Sequence, residues 1–189
     1  MDYFEVFGLP RRLGIDAQAL QRRFYELSRR YHPDFHAGAP REDQARTLEA
    51  SARLNAAYRA LRDPIVRIEY LVRLEDGRET REGAAGKPPA PPELLAEMFE
   101  IQEALAEARG GDLDEAVRKS LSDKRERLVA RRRDEGVRLT GPLTAAWDAA
   151  GPGDRPALLE QFKRGLATRA YLKTVIDDLG NTLGEDETV

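Results

Sequence analysis

Apolar residues recur at helical spacing near the start of the chain. Leu20, Phe24, Leu27 and Tyr31 stand at positions i, i+4, i+7 and i+11. This spacing predicts an α-helix with one apolar face. Asp16 is its predicted N-cap. Pro33 ends the helix, because proline lacks an N–H group and disfavours helical backbone at the preceding residue.

A second helix is predicted from Glu42 to Arg62. Its larger apolar positions are Leu48, Ala52, Leu54, Tyr58 and Leu61. Asp63 and Pro64 then form a typical helix start, an N-cap followed by proline at the first helical position. Two long helices joined by a short polar loop are expected to pack as an antiparallel hairpin. We therefore predict that residues 1–75 fold as one helical domain.

Glycine and proline mark the boundary between this domain and the rest of the chain. The segment Asp76–Pro92 reads DGRETREGAAGKPPAPP and contains almost no large apolar residue. Its prolines favour extended polyproline backbone, so we predict a semi-rigid linker over residues 76–92.

Three further helices are predicted beyond the linker, over Glu93–Arg109, Asp112–Arg138 and Asp154–Leu179. Glycine-rich steps such as Gly141-Pro142 separate them, and a short helical turn is predicted around Trp147. Val and Ile are scarce and no alternating pattern is sustained, which argues against strands. The predicted fold is all-α, with the N-terminal helical domain, a C-terminal three-helix bundle over residues 93–180 and a polar tail over residues 181–189.

Composition excludes several classes of function. The 189 residues include no cysteine and carry a formal net charge of −3, so disulfides, cysteine nucleophiles and Cys-held iron–sulfur clusters are excluded. No apolar stretch is long enough to span a membrane, and no export or transit segment is visible, so we expect a cytoplasmic protein. The run Arg131–Arg133 spreads around a helix and two acids follow it, so we expect no nucleic-acid partner.

Both histidines lie in one short stretch, YHPDFH, directly after the first long helix. A metal site built from His32, Asp34 and His36 lacks a second ligand cluster, and Pro33 breaks the helix that would align the histidines. Acid–base catalysis by His32 with Asp34, as in a small hydrolase, lacks a nucleophile partner. A structural loop in which both side chains cap backbone groups remains open.

The first helix after the linker carries more apolar residues than one face can hold. Leu94, Met98, Ile101 and Leu105 form a core row. Leu95 and Phe99 form a second row about 100° away, and Glu100 and Glu107 flank it. An exposed apolar row bordered by carboxylates is a candidate partner-binding surface. The alternative is that Leu95 and Phe99 pack on Tyr171 or on the N-terminal domain.

The N-terminal residues resemble the J-domain of DnaJ-type co-chaperones. The resemblance runs over residues 2–74 and consists of a basic helix, the His-Pro-Asp loop, and a long helix with Asn55, Ala57, Tyr58 and Leu61 before Asp63-Pro64. The chain is also similar to the HscB family, which are J-proteins dedicated to iron–sulfur cluster assembly. That similarity lies in the opening MDYFEVFGLP, in the segment RIEYLV at 67–72, in the acidic first helix after the linker and in the pair Tyr171-Leu172.

The resemblance to the HscB family implies two protein partners. HscB proteins bind a DnaK/HscA-type ATPase chaperone through the J-domain and stimulate its ATP hydrolysis. They bind the iron–sulfur scaffold protein, of the IscU type, through the C-terminal bundle and deliver it to the chaperone. We therefore expect no enzyme activity of the chain itself, no resident metal and no cofactor. A J-protein that serves a different client is the alternative.

The resemblance also assigns residues to both contacts. The chaperone-binding tripeptide is His32, Pro33 and Asp34. A cationic face made of Arg22, Arg23, Arg29 and Arg30 is expected to steer an acidic chaperone surface towards it. The scaffold-binding positions are Leu95, Ala96, Phe99, Glu100, Glu103, Glu107 and Tyr171. Phe35 departs from the lysine of many J-domains, and Ala96 and Phe99 depart from the expected methionine and leucine.

Overall fold

The computed structural model describes residues 1–32, 38, 40–77, 92, 95, 99–101, 103 and 114–184. Within these ranges every regular element is a helix, in agreement with the all-α prediction. The α-helices are α1 (Tyr3–Val6), α2 (Ala17–Arg30), α3 (Arg41–Arg62), α4 (Pro64–Glu75), α5 (Glu115–Arg138), α6 (Thr144–Ala149) and α7 (Arg155–Leu183). A π-helical stretch, Leu139–Leu143, joins α5 to α6.

The chain forms two compact units. Unit 1 consists of Met1–Thr80 together with Thr144–Arg155, and unit 2 consists of Arg81–Leu143 together with Pro156–Val189. The predicted division differs from these units because the segment that contains α6 groups with the N-terminal residues. Most of the predicted linker over residues 76–92 lies outside the described residues. Asp148 links this segment to the N-terminal residues, because its carboxylate accepts hydrogen bonds from the N–H groups of Leu13 and Gly14. The neighbouring Trp147 is buried, and the guanidinium carbon of Arg155 lies 5.1 Å from its ring centroid.

Side-chain capping sets the starts of α2 and α4. The Asp16 carboxylate accepts hydrogen bonds from the backbone N–H groups of Gln18 and Ala19 at 2.8 and 3.1 Å. These bonds, first that of Ala19 and then that of Gln18, hold the pKa of Asp16 below its ordinary value. Asp63 caps α4 in the same way, with Pro64 at the first helical position. Both predicted N-caps are therefore confirmed.

The two long helices of unit 1, α2 and α3, pack against each other. Leu20 and Leu27 of α2 are buried, as is Leu54 of α3. The rings of Phe24 and Tyr58 stack with their centroids 4.1 Å apart. The apolar face predicted for α2 is therefore the face that meets α3, and the polar side of α2 is left exposed.

Unit 2 is built around a cluster of buried apolar side chains. The cluster contains Ile101, Leu121, Leu128, Leu172, Val175, Ile176, Leu179 and Leu183. These residues belong to three helical segments: the helical residues before α5, α5 itself and α7. This composition agrees with the predicted three-helix arrangement.

Two predictions in the C-terminal half are wrong: the break at Gly141-Pro142 and the end of the last helix. The predicted end of the preceding helix at Arg138 is confirmed. Gly141 and Pro142 do not break the chain's helical path, because a π-helical stretch accommodates the proline. The last helix also continues to Leu183, beyond the predicted end at Leu179. Leu183 is buried in the core cluster, so residues 181–183 complete α7 and do not form part of a polar tail.

Candidate functional site

The basic face of α2 is exposed as the sequence predicts. Arg22, Arg23, Arg29 and Arg30 all have exposed side chains. Because the apolar side of α2 packs against α3, the charged side faces solvent. The helix therefore presents two pairs of exposed arginines to solvent, with Glu26 between them.

The four arginines of this surface differ in their ion pairing. Arg23 pairs with Glu26 of the same helix, with an N–O distance of 3.0 Å. No described residue forms an ion pair or hydrogen bond with the guanidinium group of Arg22 or Arg29. Exposed intrahelical ion pairs contribute little free energy, so a carboxylate of a partner protein can replace Glu26 at Arg23. Arg22 and Arg29 can bind such a carboxylate without first breaking an ion pair.

The candidate chaperone loop begins where α2 ends. The N–H group of Tyr31 still bonds to carbonyl groups of the last helical turn, with Arg29 and Leu27 as acceptors. His32 follows directly and its side chain is exposed. Pro33 and Asp34, together with the alternative metal ligand His36, lie outside the described residues. His32, the first residue of the tripeptide, therefore lies directly after the C-terminal end of α2.

The second apolar row of the helix before α5 is exposed. Leu95 and Phe99 are 40% and 72% exposed, whereas Ile101 is buried in the core cluster of unit 2. Glu100 and Glu103 are exposed beside them. Because the Phe99 ring is largely in contact with water, the alternative that it packs inside the chain does not apply to it. Exposed aromatic rings bordered by charges are common at protein interfaces.

Tyr171 lies on α7 at the edge of the core of unit 2. It is half-buried and packs against the cluster to which Ile101 belongs. Tyr171 therefore borders the core of unit 2 while part of its side chain stays exposed. Of the other predicted positions, Ala96 and Glu107 lie outside the described residues.

Tyr25 is an exposed residue of the cationic helix that the sequence analysis did not select. Its side chain is 56% exposed. It stands three residues after Arg22 and four before Arg29, which places all three on one helical face. That spacing was available in the sequence, but the basic residues alone were used to define the surface.

Two kinds of site find no support within the described residues. No group of three His, Asp or Glu side chains there is arranged to hold a metal ion. No helix among those described is both long and apolar enough to cross a lipid bilayer.

Comparison with known proteins gives a family match for the N-terminal residues and several similar solved structures. Residues 2–70 match the DnaJ domain family. The structure is similar to that of chaperone HscB from Vibrio cholerae, with a TM-score of 0.60, 26% sequence identity, and coverage of 97% of this chain and 99% of that one. It is also similar to the crystal structure of human co-chaperone protein HscB, with a TM-score of 0.61, 25% identity, and coverage of 96% and 81% respectively.

Proposed function

Because the chain belongs to the HscB family of J-domain co-chaperones, we propose that it delivers an iron–sulfur scaffold protein to an ATP-hydrolysing chaperone. Unit 1 binds a DnaK/HscA-type chaperone and stimulates its ATPase, and unit 2 binds an IscU-type scaffold. One observation carries this proposal: each unit has its own exposed surface of partner-binding character. The surface is cationic on α2, and it is apolar and acidic around Phe99.

In the chaperone contact, the arginines of α2 raise the association rate and the His-Pro-Asp tripeptide stimulates ATP hydrolysis. Exposed arginines on α2 attract an acidic chaperone surface and raise the association rate. Pro33 restricts the backbone after His32, and the Asp34 carboxylate then forms a charge-assisted hydrogen bond with a cationic group of the chaperone. Stimulation requires that these contacts be stronger in the hydrolysis-competent state of the chaperone than in its resting state.

The scaffold contact has an aromatic centre and an acidic border. Phe99 and Leu95 supply exposed apolar area, and Ala96 and Tyr171 complete the surface. Glu100, Glu103 and Glu107 favour a scaffold surface that carries basic groups around an apolar patch. The phenylalanine at 99 and the alanine at 96 give this patch a bulkier centre and a smaller neighbour than the leucine and methionine of the family pattern.

Simultaneous binding of both partners converts their encounter into an intramolecular event. Linkage through one chain raises the effective concentration of the scaffold near the chaperone to about the millimolar range when the connection is short. The iron–sulfur cluster is cargo of the scaffold in this scheme. The chain itself contributes binding and a shift in the chaperone's conformational population.

The chaperone arm is tested by measuring chaperone ATP turnover with the full-length chain and with Asp34→Asn. We expect the variant to lose most of the stimulation, because the amide is isosteric with the carboxylate but lacks its charge. Glu49→Gln is a matched control, since it removes an exposed carboxylate of α3 in the same unit. Stimulation by Asp34→Asn equal to that of the parent would contradict the role of the loop.

The scaffold arm is tested by titrating the scaffold protein against Leu95→Ala/Phe99→Ala. We expect a loss of affinity of about tenfold or more, because central aromatic contacts often contribute over 1 kcal/mol. The control is Val137→Ala, which truncates an exposed apolar side chain of α5. If the parent chain stimulates the chaperone but does not bind the scaffold, the protein is a J-domain co-chaperone for a different client.

A further inference from the structure

Tyr25 is the most exposed aromatic ring of the described part of unit 1, and it lies in the middle of the cationic surface of α2. Its side chain is 56% exposed. With 3.6 residues per turn, Arg22, Tyr25 and Arg29 share the face opposite the buried Leu20 and Leu27. An aromatic ring therefore stands between two arginines on one outward-facing row.

The ring of Tyr25 is supported on one side by the core of unit 1. It lies 5.7 Å from the ring of Phe24 in a tilted arrangement, and Phe24 stacks on Tyr58. The Tyr25 hydroxyl is 3.5 Å from the side-chain amide nitrogen of Gln21, at the outer limit of a hydrogen bond. These contacts restrict the ring while more than half of its surface remains open.

The charges beside the ring are available to a partner protein. No described residue forms an ion pair with the side chain of Arg22 or Arg29. Glu26 stands four residues after Arg22 and three before Arg29, and its carboxylate pairs with Arg23 at 3.0 Å. Tyrosine and arginine are enriched among the residues that dominate binding energy at interfaces. A tyrosine has few rotatable bonds, so little conformational entropy is lost when its ring is buried.

We propose that Tyr25 is the aromatic anchor of the chaperone interface. It inserts into an apolar recess of the chaperone that is bordered by carboxylates, and Arg22 and Arg29 pair with those carboxylates. Tyr25 precedes His32 by seven residues, which is about 10 Å along the helix axis. The interface thus extends two helical turns away from the tripeptide. This inference rests on the proposed function and adds the residue that supplies affinity.

Loss of Tyr25 is expected to change the ATPase kinetics in a different way from loss of Asp34. Tyr25 contacts the chaperone equally in its resting and hydrolysing states, so its loss weakens binding without changing the rate reached at saturation. Asp34 acts on the hydrolysing state, so its loss lowers the saturated rate. The two residues therefore separate in a titration of ATPase rate against co-chaperone concentration.

The test is such a titration with the full chain and three variants. For Tyr25→Ala we expect the concentration for half-maximal stimulation to rise about tenfold or more, with an unchanged plateau. Tyr25→Phe keeps the ring and is expected to stay within about twofold of the parent. Leu48→Ala removes an apolar side chain of α3 that is 62% exposed, and it is expected to leave the curve unchanged.

The outcomes test the anchor role of Tyr25 and the proposed function separately. An unchanged half-maximal concentration for Tyr25→Ala overturns the anchor, even if Asp34→Asn abolishes stimulation and the proposed function stands. A fall in the plateau for Tyr25→Ala overturns it as well, since that result makes the ring part of the activation step. If the parent chain fails to stimulate the chaperone, the proposed function fails and the anchor with it. Unfolding midpoints of the variants, measured in parallel, verify that the exposed substitutions leave the fold intact.

Discussion

The carboxylate of Asp148 binds the backbone of Gly14 across 134 positions of the chain. The Gly14 N–H donates to one carboxylate oxygen at 2.7 Å, and the N–H of Leu13 donates to the other at 2.8 Å. The carbonyl of Leu13 in turn accepts a hydrogen bond from Arg67. The segment before α2 is therefore held from two sides. Asp148 of α6 accepts hydrogen bonds from its N–H groups, and Arg67 of α4 donates to the carbonyl of Leu13.

Arg67 contributes a buried charge to this arrangement. Its side chain is almost fully buried, and it also donates to the carbonyl of Leu61 at 2.7 Å. Burial lowers the pKa of the Arg67 guanidinium, and the charges of Asp63 and Asp148 oppose that effect. A buried cation is tolerated when it is hydrogen-bonded and balanced by carboxylates. The carbonyls of Leu61 and Leu13 accept the hydrogen bonds of Arg67, and Asp63 and Asp148 supply the balancing charge.

Removal of the Asp148 carboxylate is predicted to destabilise unit 1. In Asp148→Ala the N–H groups of Leu13 and Gly14 lose their acceptor, which costs about 1–3 kcal/mol. The measurement is urea unfolding followed by the fluorescence of Trp147, the only tryptophan of the chain. Glu49→Ala, a change of an exposed acid on α3, is the control and is expected to remain within about 0.5 kcal/mol of the parent. Equal midpoints for the parent and Asp148→Ala would show that water replaces the carboxylate without cost.

Gly14 is predicted to be intolerant of a side chain because of the same contact. A Cβ atom there would lie 2.9 Å from the Asp148 carboxylate oxygen, so Gly14→Ala is expected to cost about 1–3 kcal/mol. In the background of Asp148→Ala the clash is absent and the cost should shrink, giving a coupling that a double-mutant cycle measures. Gly151→Ala meets no atom within 4 Å and serves as the control. Strict additivity of the two changes would mean that the loop moves instead of clashing.

Features that depend on neighbouring residues could be predicted from the sequence. The N-caps Asp16 and Asp63 act on amides two and three residues away, so their effect is visible in a short stretch of sequence. The exposure of Phe99 could also be predicted, because the core row that contains Ile101 already fills one face of its helix. In each case the physics is local or follows from helical periodicity.

Features that depend on distant contacts could not be predicted in this way. The contact of Asp148 with Gly14 has no signal in either stretch of sequence, and it decides that α6 groups with the N-terminal residues. Gly141 and Pro142 predict a break, yet buried Leu139 and Leu143 on both sides hold the chain in a π-helical path. Packing thus overrides the local preference at these two residues.

Tyr70 is predicted to make the stability of unit 1 sensitive to alkaline pH. Its hydroxyl accepts a hydrogen bond from the Tyr3 N–H at 2.8 Å, and burial raises its pKa above the ordinary value near 10. A raised folded-state pKa means that folding favours the neutral phenol. The resulting contribution to the free energy of unfolding is fully present below about pH 10, and it is lost as the pH rises through the folded-state pKa.

The substitution Tyr70→Phe tests this dependence. At pH 7 we expect it to lower the free energy of unfolding by about 1–2 kcal/mol, because the Tyr3 N–H loses its acceptor. Above about pH 10 the variant should lose stability less steeply than the parent, since the buried phenol no longer has to ionise. Unfolding free energies measured from pH 7 to 11 give both quantities. Parallel curves for the two proteins would remove Tyr70 as the source of the alkaline sensitivity.

Gly165 is predicted to set the closeness of α7 to α5 in unit 2. It is buried, and a Cβ atom there would lie 2.7 Å from the Leu139 side chain and 3.0 Å from that of Arg138. Arg138 is held in place by a salt bridge to Glu135 at 2.6 Å, so it cannot move away without breaking that pair. Gly165→Ala is therefore expected to destabilise unit 2 by about 1–3 kcal/mol.

The sign of this effect distinguishes packing from helix propensity. In an open helix the replacement of glycine by alanine gains up to about 1 kcal/mol, so propensity alone predicts a more stable variant. Gly141→Ala, where the added Cβ meets nothing within 4 Å, serves as the control and should be neutral or stabilising. Urea unfolding followed by helical circular dichroism measures both variants. A stabilised Gly165→Ala would mean that Leu139 and the Glu135–Arg138 pair shift aside readily, and that α5 and α7 are not locked at this crossing.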